Sequence, residues 1–326
     1  MPQIGMSMAQ GFSILVTGGA GYLGSILVPR LLEEGHRITV FDNFMFGQVS
    51  LAHVCANPNL EIVRGDVRDH DKLVELARKA DIVIPLAALV GAPLCARDPD
   101  TAKAVNRDAI AVMLQRLSKD QRVIYPTTNS GYGIGEPGKA CTEETPLRPI
   151  SLYGRTKSDA EKAVLDFGSS VAFRLATVFG MSPRLRLDLL VNDFVYRAVT
   201  DRAVVLFESH FIRNYIHIRD VAGAFVHAIG NFERMKGEVY NIGLSDTNEA
   251  KANLSKAELC ERIKLQVPDF YFVESAIGED PDKRDYIVSN EKIERTGFRP
   301  RYSIDDGIAE LIKGYRMMPR SAFGNV

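Results

Sequence analysis

A chain of 326 residues, 46% hydrophobic and 25% charged, has the composition of an ordinary globular protein and the length for one large α/β domain or two closely joined ones. Its 40 basic and 41 acidic residues leave a net charge of −1, which excludes an overall field for nucleic acid or anionic membrane. No apolar run approaches the roughly twenty residues of a membrane span, and Cys55, Cys95, Cys141 and Cys260 show no C-x-x-C spacing, so neither a metal nor a disulfide framework is expected and a reducing, cytoplasmic setting fits best.

Residues 1–11 lack the length and apolar core of a signal peptide and are read as a loose leader. Ile14-Leu15-Val16-Thr17 then reads as a buried parallel strand, and Gly18, Gly21 and Gly24 as a tight turn into a helix beginning near Tyr22. Glycine lets a backbone approach a pyrophosphate, and the free N–H groups at the helix start, at Tyr22 and Leu23, would face it with the helix dipole behind them. The spacing is not G-x-G-x-x-G, and a turn can need glycine for geometry alone.

The next strand, Arg37–Phe41, ends in Asp42, where a carboxylate can accept from both ribose hydroxyls and repel a 2′-phosphate. NAD is therefore expected over NADP, although Asp42 would also suit a strand-end turn. Asn43 opens a loop over the adenosine end, and a third strand from Leu60 runs to Gly65-Asp66-Val67. Asp66 can accept from the adenine amino group or cap the helix that starts near His70. A fourth strand from Asp81 runs into Leu86, Ala87 and Ala88, small enough for a cofactor to lie across.

A helix over 101–118 carries Asn106, and Val123–Pro126 forms the fifth strand, followed by the polar stretch from Thr127 to Gly133. A helix begins near Leu152, and Val171–Leu175 is the sixth strand. This alternation implies a right-handed, doubly wound parallel sheet, a Rossmann α/β fold. Beyond Gly180 come a basic loop over 181–186, a helix over 189–200, a strand over 204–207, a strand at Tyr215–Ile218 leading into a helix, and a strand over 238–243. From about Ser255 the chain reads as helices and loops with a smaller core. Residues 12–180 with about 213–245 are assigned to the nucleotide domain, and about 181–212 with 246–320 to an interleaved substrate-binding part.

Tyr153 and Lys157 stand one helical turn apart. An ammonium there would favour phenolate and draw the tyrosine from its ordinary value of about 10 toward neutrality, making it a general base for a hydroxyl. Such pairs are also commonplace on solvated helix faces. Thr128, just past the fifth strand, could share the substrate proton or bond its own turn.

Gly18-x-x-Gly21-x-x-Gly24, Asp42, Gly65-Asp66, Thr128 four before Tyr132-Gly133, and Tyr153-x-x-x-Lys157 together resemble the extended short-chain dehydrogenase/reductase family of nucleotide-sugar epimerases and dehydratases. The run Arg213-Asn214-Tyr215-Ile216-His217-Ile218-Arg219-Asp220-Val221 resembles that family's second landmark, whose first arginine binds the substrate diphosphate. The resemblance implies NAD, a trio of Tyr153, Lys157 and Thr128, and a homodimer through a four-helix bundle. It also implies a water beside Lys157 ordered by Asn106, which a buried amide satisfied by its neighbours would fit equally.

Departures from the pattern narrow the chemistry. The family's 4,6-dehydratases follow the threonine with Asp-Glu; here Asn129 and Ser130 stand there as candidate substrate contacts, neither ionising near neutrality, so that elimination is not expected. Thr177 replaces the usual asparagine of R-x-x-N-x-x-G, and Cys141 would be a base for 3,5-epimerisation only with a lowered pKa. The stretches 128–136, 183–194 and 278–286 resemble a narrower group, the GDP-heptose C4 dehydrogenases of bacterial capsule pathways. Arg184, Arg186, Arg213 and Arg284 are candidate diphosphate ligands, with one or two expected to be ordinary ion-pair arginines. Asn192 marks a helix facing the nucleotide or caps local structure, and His217 is read as a packed histidine. Oxidation at C4 leads; a 4-epimerase and a non-catalytic NAD-binding sensor are the alternatives.

Overall fold

A computed structural model of the chain describes residues 11–136, 138–247, 251–275 and 284–318. The expected leader, apart from Gly11, and most of the stretch 278–286 lie outside them.

Seven strands build one sheet: β1 (Ser13–Thr17), β2 (Arg37–Asp42), β3 (Leu60–Arg64), β4 (Ile82–Pro85), β5 (Arg122–Thr128), β6 (Ser170–Leu175) and β7 (Glu238–Ile242). They pair in parallel in the order β7-β6-β5-β4-β1-β2-β3. All four residues of β4 are buried, which is why it reads as an unbroken apolar run rather than an alternating one. One face carries Val16, Val40 and Ile84 under Leu27 and Leu31 of the Gly24–Glu33 helix and Phe225 of the Ile218–Gly230 helix. The other carries Leu15, Val83 and Tyr125 under Leu73, Met113 and Val164.

The chain reverses its winding at β1, flanked by β2 and β4, and a doubly wound sheet opens a crevice at such a switch point. Pro85 ends β4 and has no N–H to continue a ladder. β4 therefore pairs with β5 only at Ile82–Arg122 and Val83–Val123, while β5 runs on to Thr128 against β6. The strands part where a ligand has to enter.

Several boundaries differ from the sequence reading. β3 stops at Arg64, and the helix expected over 101–118 is Pro99–Lys103, a π-turn at Ala104–Asp108 and Ala109–Leu114. A short helix at Ala92–Arg97 was not foreseen. In the C-terminal part the helices Leu190–Thr200, Lys256–Gln266 and Ile304–Met317 share a third core around Val195, Leu259, Ile263 and Leu311. Ser255 with Glu258 and Ser303 with Asp306 close capping boxes at two of these helices. Two-stranded pairs join Thr177–Phe179 to Tyr215–His217 and Ala203–Leu206 to Tyr271–Glu274.

A buried ion pair holds the Leu152–Phe167 helix to the sheet: Glu161 lies 2.6 Å from Arg174 of β6, and the same guanidinium reaches Tyr132 Oη at 3.0 Å and the Glu143 carbonyl at 3.1 Å. Removing one partner of such a pair strands the other charge, which costs about 3–5 kcal/mol. Glu161→Ala is expected to lower the urea midpoint accordingly, and an unchanged midpoint would show that water reaches Arg174.

Candidate active site

A cleft of about 690 Å³ lies over the carboxyl ends of β1, β2, β4 and β5. Two glycines of the turn are architectural. Gly18 has φ +67° and a Cβ there would lie 2.6 Å from the Ala87 nitrogen, while one on Gly24 would lie 2.3 Å from the Gly19 carbonyl oxygen. Gly21 differs, since its Cβ would meet only the Gly18 carbonyl oxygen, at 3.1 Å; all three glycines line the cleft. Among the described residues, the amides of Tyr22 and Leu23 have no protein acceptor, which is what an anion at this helix start requires.

Asp42, buried at the end of β2, accepts from Ala20 N at 3.0 Å and Phe44 N at 2.8 Å, and burial pushes its carboxyl up against those bonds. It lines the cleft with Asn43, Val67, Leu86, Ala87 and Ala88. Asp66 lines it too, gripped by Arg68 through two bonds of 2.9 Å and by Asn43 at 3.1 Å. Arg68 holds its carboxyl well below the ordinary range. The helix-cap alternative for Asp66 is corrected: Asp69 caps that helix, accepting from Lys72 N at 3.1 Å. Bare amides beside a fixed carboxylate fit a dinucleotide, whose pyrophosphate Gly21, Tyr22 and Leu23 would hold and whose ribose would lie on Asp42.

At the other end stand Tyr153 and Lys157, on the first turns of a helix whose cap, Ser151, accepts from Gly154 N at 3.1 Å. Tyr153 is pushed up by burial and drawn back chiefly by Arg186, then by Arg284 and a hydrogen bond with Thr128. The lysine is buried 4.1 Å from the centre of the Tyr125 ring, and burial brings it down to about 7, so its own charge is suppressed near neutrality. Thr128 Oγ1 donates to Ser130 Oγ at 2.9 Å and accepts from Ser130 N at 3.1 Å, so it bonds its own turn and faces the cleft as well. Arg284 Nη1 donates to Ser130 Oγ. Asn129 is corrected: it does not line the cleft, and neither of its buried amide atoms has a partner among the described residues.

The opposite wall is cationic. Arg184 Nη1 donates to the Leu185 carbonyl at 2.5 Å with its guanidinium 4.3 Å from the Phe46 ring centre, and burial lowers its pKa. Arg186 pairs with Asp188 at 2.5 Å, and buried Arg213 donates to the Ile212 carbonyl at 2.9 Å. Thr177 faces the same space, as does Lys256, which was missed although its place beside the Ser255 cap was legible.

Three expected groups sit behind the walls. Asn106 Oδ1 accepts from Leu89 N and its Nδ2 donates to the Leu89 carbonyl, both at 2.9 Å, so the satisfied amide is what the structure has. Asn192 accepts from Gly180 N at 3.0 Å and donates to the Arg186 carbonyl at 2.9 Å, the local-capping alternative. His217 is packed, 2.6 Å from Glu310 with Nδ1 accepting from Arg219 N. The Cys141 thiol is pushed up by burial, which removes the basis for a base there. Among the described residues no cluster of three or more His, Cys, Asp or Glu could hold a metal, and no helix is long and apolar enough to cross a membrane.

One turn offering its amides at the switch point, with an activatable tyrosine farther along the same crevice, defines the class: a doubly wound enzyme working with a nicotinamide dinucleotide. The particular family follows from comparison. The model of the NAD dependent epimerase/dehydratase family matches residues 14–243; the chain belongs to that family, and its cofactor is NAD. It is similar to the low-salt glycan biosynthesis protein Agl12 of Haloferax volcanii, 27% identical over 317 residues, covering 93% of this chain and 98% of that one. A dTDP-glucose 4,6-dehydratase from an Actinoplanes species is 29% identical over 324 residues, covering 93% and 97%. Among solved structures, the UDP-glucose 4-epimerase of Thermotoga maritima with UDP-glucose superposes with a TM-score of 0.81 at 25% identity, covering 93% and 98%.

Two outcomes follow. Asp42→Ser is expected to narrow the preference for NAD over NADP, and an unchanged ratio of the two dissociation constants would remove Asp42 as the discriminator. Between about pH 7 and the ordinary lysine value of about 10.4, the unfolded chain binds a proton at Lys157 that the folded chain does not, so this group makes stability rise with pH across that window. Lys157→Met is expected to flatten that slope in denaturant midpoints measured across it.

Proposed function

We propose that the chain oxidises the C4 hydroxyl of a nucleoside-diphosphate sugar to a 4-keto sugar, with a GDP-heptose as the substrate. The observation that carries the reading is Thr128, Tyr153 and Lys157 lining one cleft with Arg184, Arg186 and Arg213. When bound, NAD supplies the acceptor for the hydride that leaves C4.

Tyr153 takes the C4 hydroxyl proton, and Thr128 holds that hydroxyl so that its O–H faces the phenolate. Lys157, once anionic groups in the cleft restore its proton, favours the phenolate from below. Arg184, Arg186 and Arg213 pair with the diphosphate, whose oxygens match guanidinium forks. Elimination across C5 and C6 would need an acid and a base beside Thr128. The Asn129 amide lies outside the cleft and Ser130 does not ionise near neutrality, so the chemistry stops at C4, unlike that of the related dehydratase. The second reading is a 4-epimerase, in which the keto sugar turns over before reduction; the likeness to the Thermotoga enzyme favours it.

The test is nicotinamide absorbance with a panel of nucleotide sugars that includes a GDP-heptose. Lasting reduction with a 4-keto product supports the dehydrogenase, a C4 epimer without lasting reduction makes it an epimerase, and silence on every sugar overturns both in favour of a sensor. Tyr153→Phe is expected to lower turnover by about 10²–10⁴-fold with NAD retained; undiminished turnover would overturn the assignment of the base.

A further inference from the structure

Lys256 stands where helix energetics alone would not place a cation. It opens the Lys256–Gln266 helix directly after the Ser255 cap, and a positive charge in a first turn meets the positive end of the helix dipole. It is also only 4% exposed, and Arg213 only 3%. Strand pairing brings the two together, since Ile212–Arg213 runs antiparallel to Leu254–Ser255 with Arg213 opposite Leu254. Lys256 Nζ then lies 5.3 Å, and the Arg213 guanidinium carbon 5.9 Å, from the centre of the Phe211 ring. Both donate to backbone, Lys256 to the Phe207 carbonyl and Arg213 to the Ile212 carbonyl at 2.9 Å. The turn that carries Phe207 is itself fastened to the helix start, because Ala257 N donates to the Ser209 carbonyl at 3.0 Å. Both cationic side chains line the cleft. Two buried cations held against one ring repel each other, and an anion that reaches both is stabilised by both.

We propose that Lys256 is a substrate-binding residue, its ammonium sharing the diphosphate of the nucleotide sugar with the Arg213 guanidinium. The inference rests on the nucleoside-diphosphate reading of the substrate and adds to it a ligand that no motif in the sequence supplied. Arginine offers phosphate a planar fork and lysine a compact point charge, so the two engage different oxygens of one diphosphate. Phe211 is the positioning residue. Its ring and the two backbone bonds hold the cations in place before the ligand arrives, so that little side-chain freedom is lost on binding. The helix dipole that opposes the lysine acts in the same direction as the lysine on a bound anion.

The test is calorimetry on the protein loaded with NAD, so that the glycine turn is filled, with inorganic pyrophosphate and GDP as the probes. Lys256→Met is expected to weaken both by about tenfold or more and to leave NAD affinity unchanged, and Lys256→Arg to restore most of the loss. Pyrophosphate and GDP affinities unchanged by Lys256→Met would overturn the proposal, as would a wild-type chain that binds neither probe. Loss of NAD affinity alongside them, unrestored by Lys256→Arg, would make the lysine structural and overturn it too. The substrate reading fails separately: pyrophosphate held through Lys256 by a chain with no affinity for GDP, UDP or any nucleotide sugar would sink the nucleoside-diphosphate substrate and leave Lys256 and Arg213 standing as an anion site.

Discussion

Everything that happens in the cleft depends on where the Leu152–Phe167 helix sits, and one buried ion pair sets that. Tyr153, Lys157 and Glu161 follow one another at helical spacing down a single face. The last of them grips Arg174 of β6 at 2.6 Å, with both side chains almost wholly out of water. Arg174 continues to Tyr132, whose hydroxyl donates to Asn241 of β7 at 2.7 Å, and the Glu143 carboxylate accepts from Asn241 N at 2.7 Å. Helix, sheet and the loop carrying Ser130 are thereby locked in a single network. Buried pairs of this kind add little net stability against an apolar replacement, but they fix geometry, and here the geometry is that of the tyrosine.

The cleft solves an electrostatic problem that net charge conceals. A chain of charge −1 has no long-range field, yet this one space carries a local excess of cations on its facing wall, with Asp188 and Asp193 among them, while Arg68 and Arg97 stand beside the acids of the other end. Asp42 and Asp66 stand at the end where ribose and adenine hydroxyl and amino groups would donate. Arg184, Arg186, Arg213, Arg284 and Lys256 stand on the facing wall and at the reacting end. A ligand with neutral donors at one end and phosphates at the other has a single favourable orientation in such a field.

Much of this was legible in the sequence because it rests on chain order and on burial. The strands are apolar runs buried on both faces, and the glycine turn, Asp42, Thr128, Tyr153 and Lys157 all arrive at one crevice once the sheet is wound. What the sequence could not supply was direction. Asn106, Asn129 and Asn192 are all amides near the site, and all three turn away from it, two into backbone clamps and one into the interior. Asp66 and Asp69 both suit a cap, and only the turn between them decides which is used. The source of the cationic pull on Tyr153 was hidden for a similar reason. Lys157 is its neighbour in sequence, whereas Arg186 and Arg284 come to the same cleft from distant segments whose approach no local pattern encodes.

The glycine turn has a mechanical connection to the opposite wall. Tyr22 donates through its hydroxyl to the Gly180 carbonyl at 2.8 Å, Ser182 Oγ donates to the Tyr22 carbonyl at 2.8 Å, and Ser25 and Ser182 meet at 2.7 Å. The helix start whose amides would receive one ligand is therefore bonded to the loop that carries Arg184 and Arg186, the candidates for the other. Any ordering of that junction brought about by the first occupant is ordering the second need not supply. By thermodynamic reciprocity any such coupling would raise or lower the two affinities by the same factor, and these three hydroxyl groups are the contact through which it would pass.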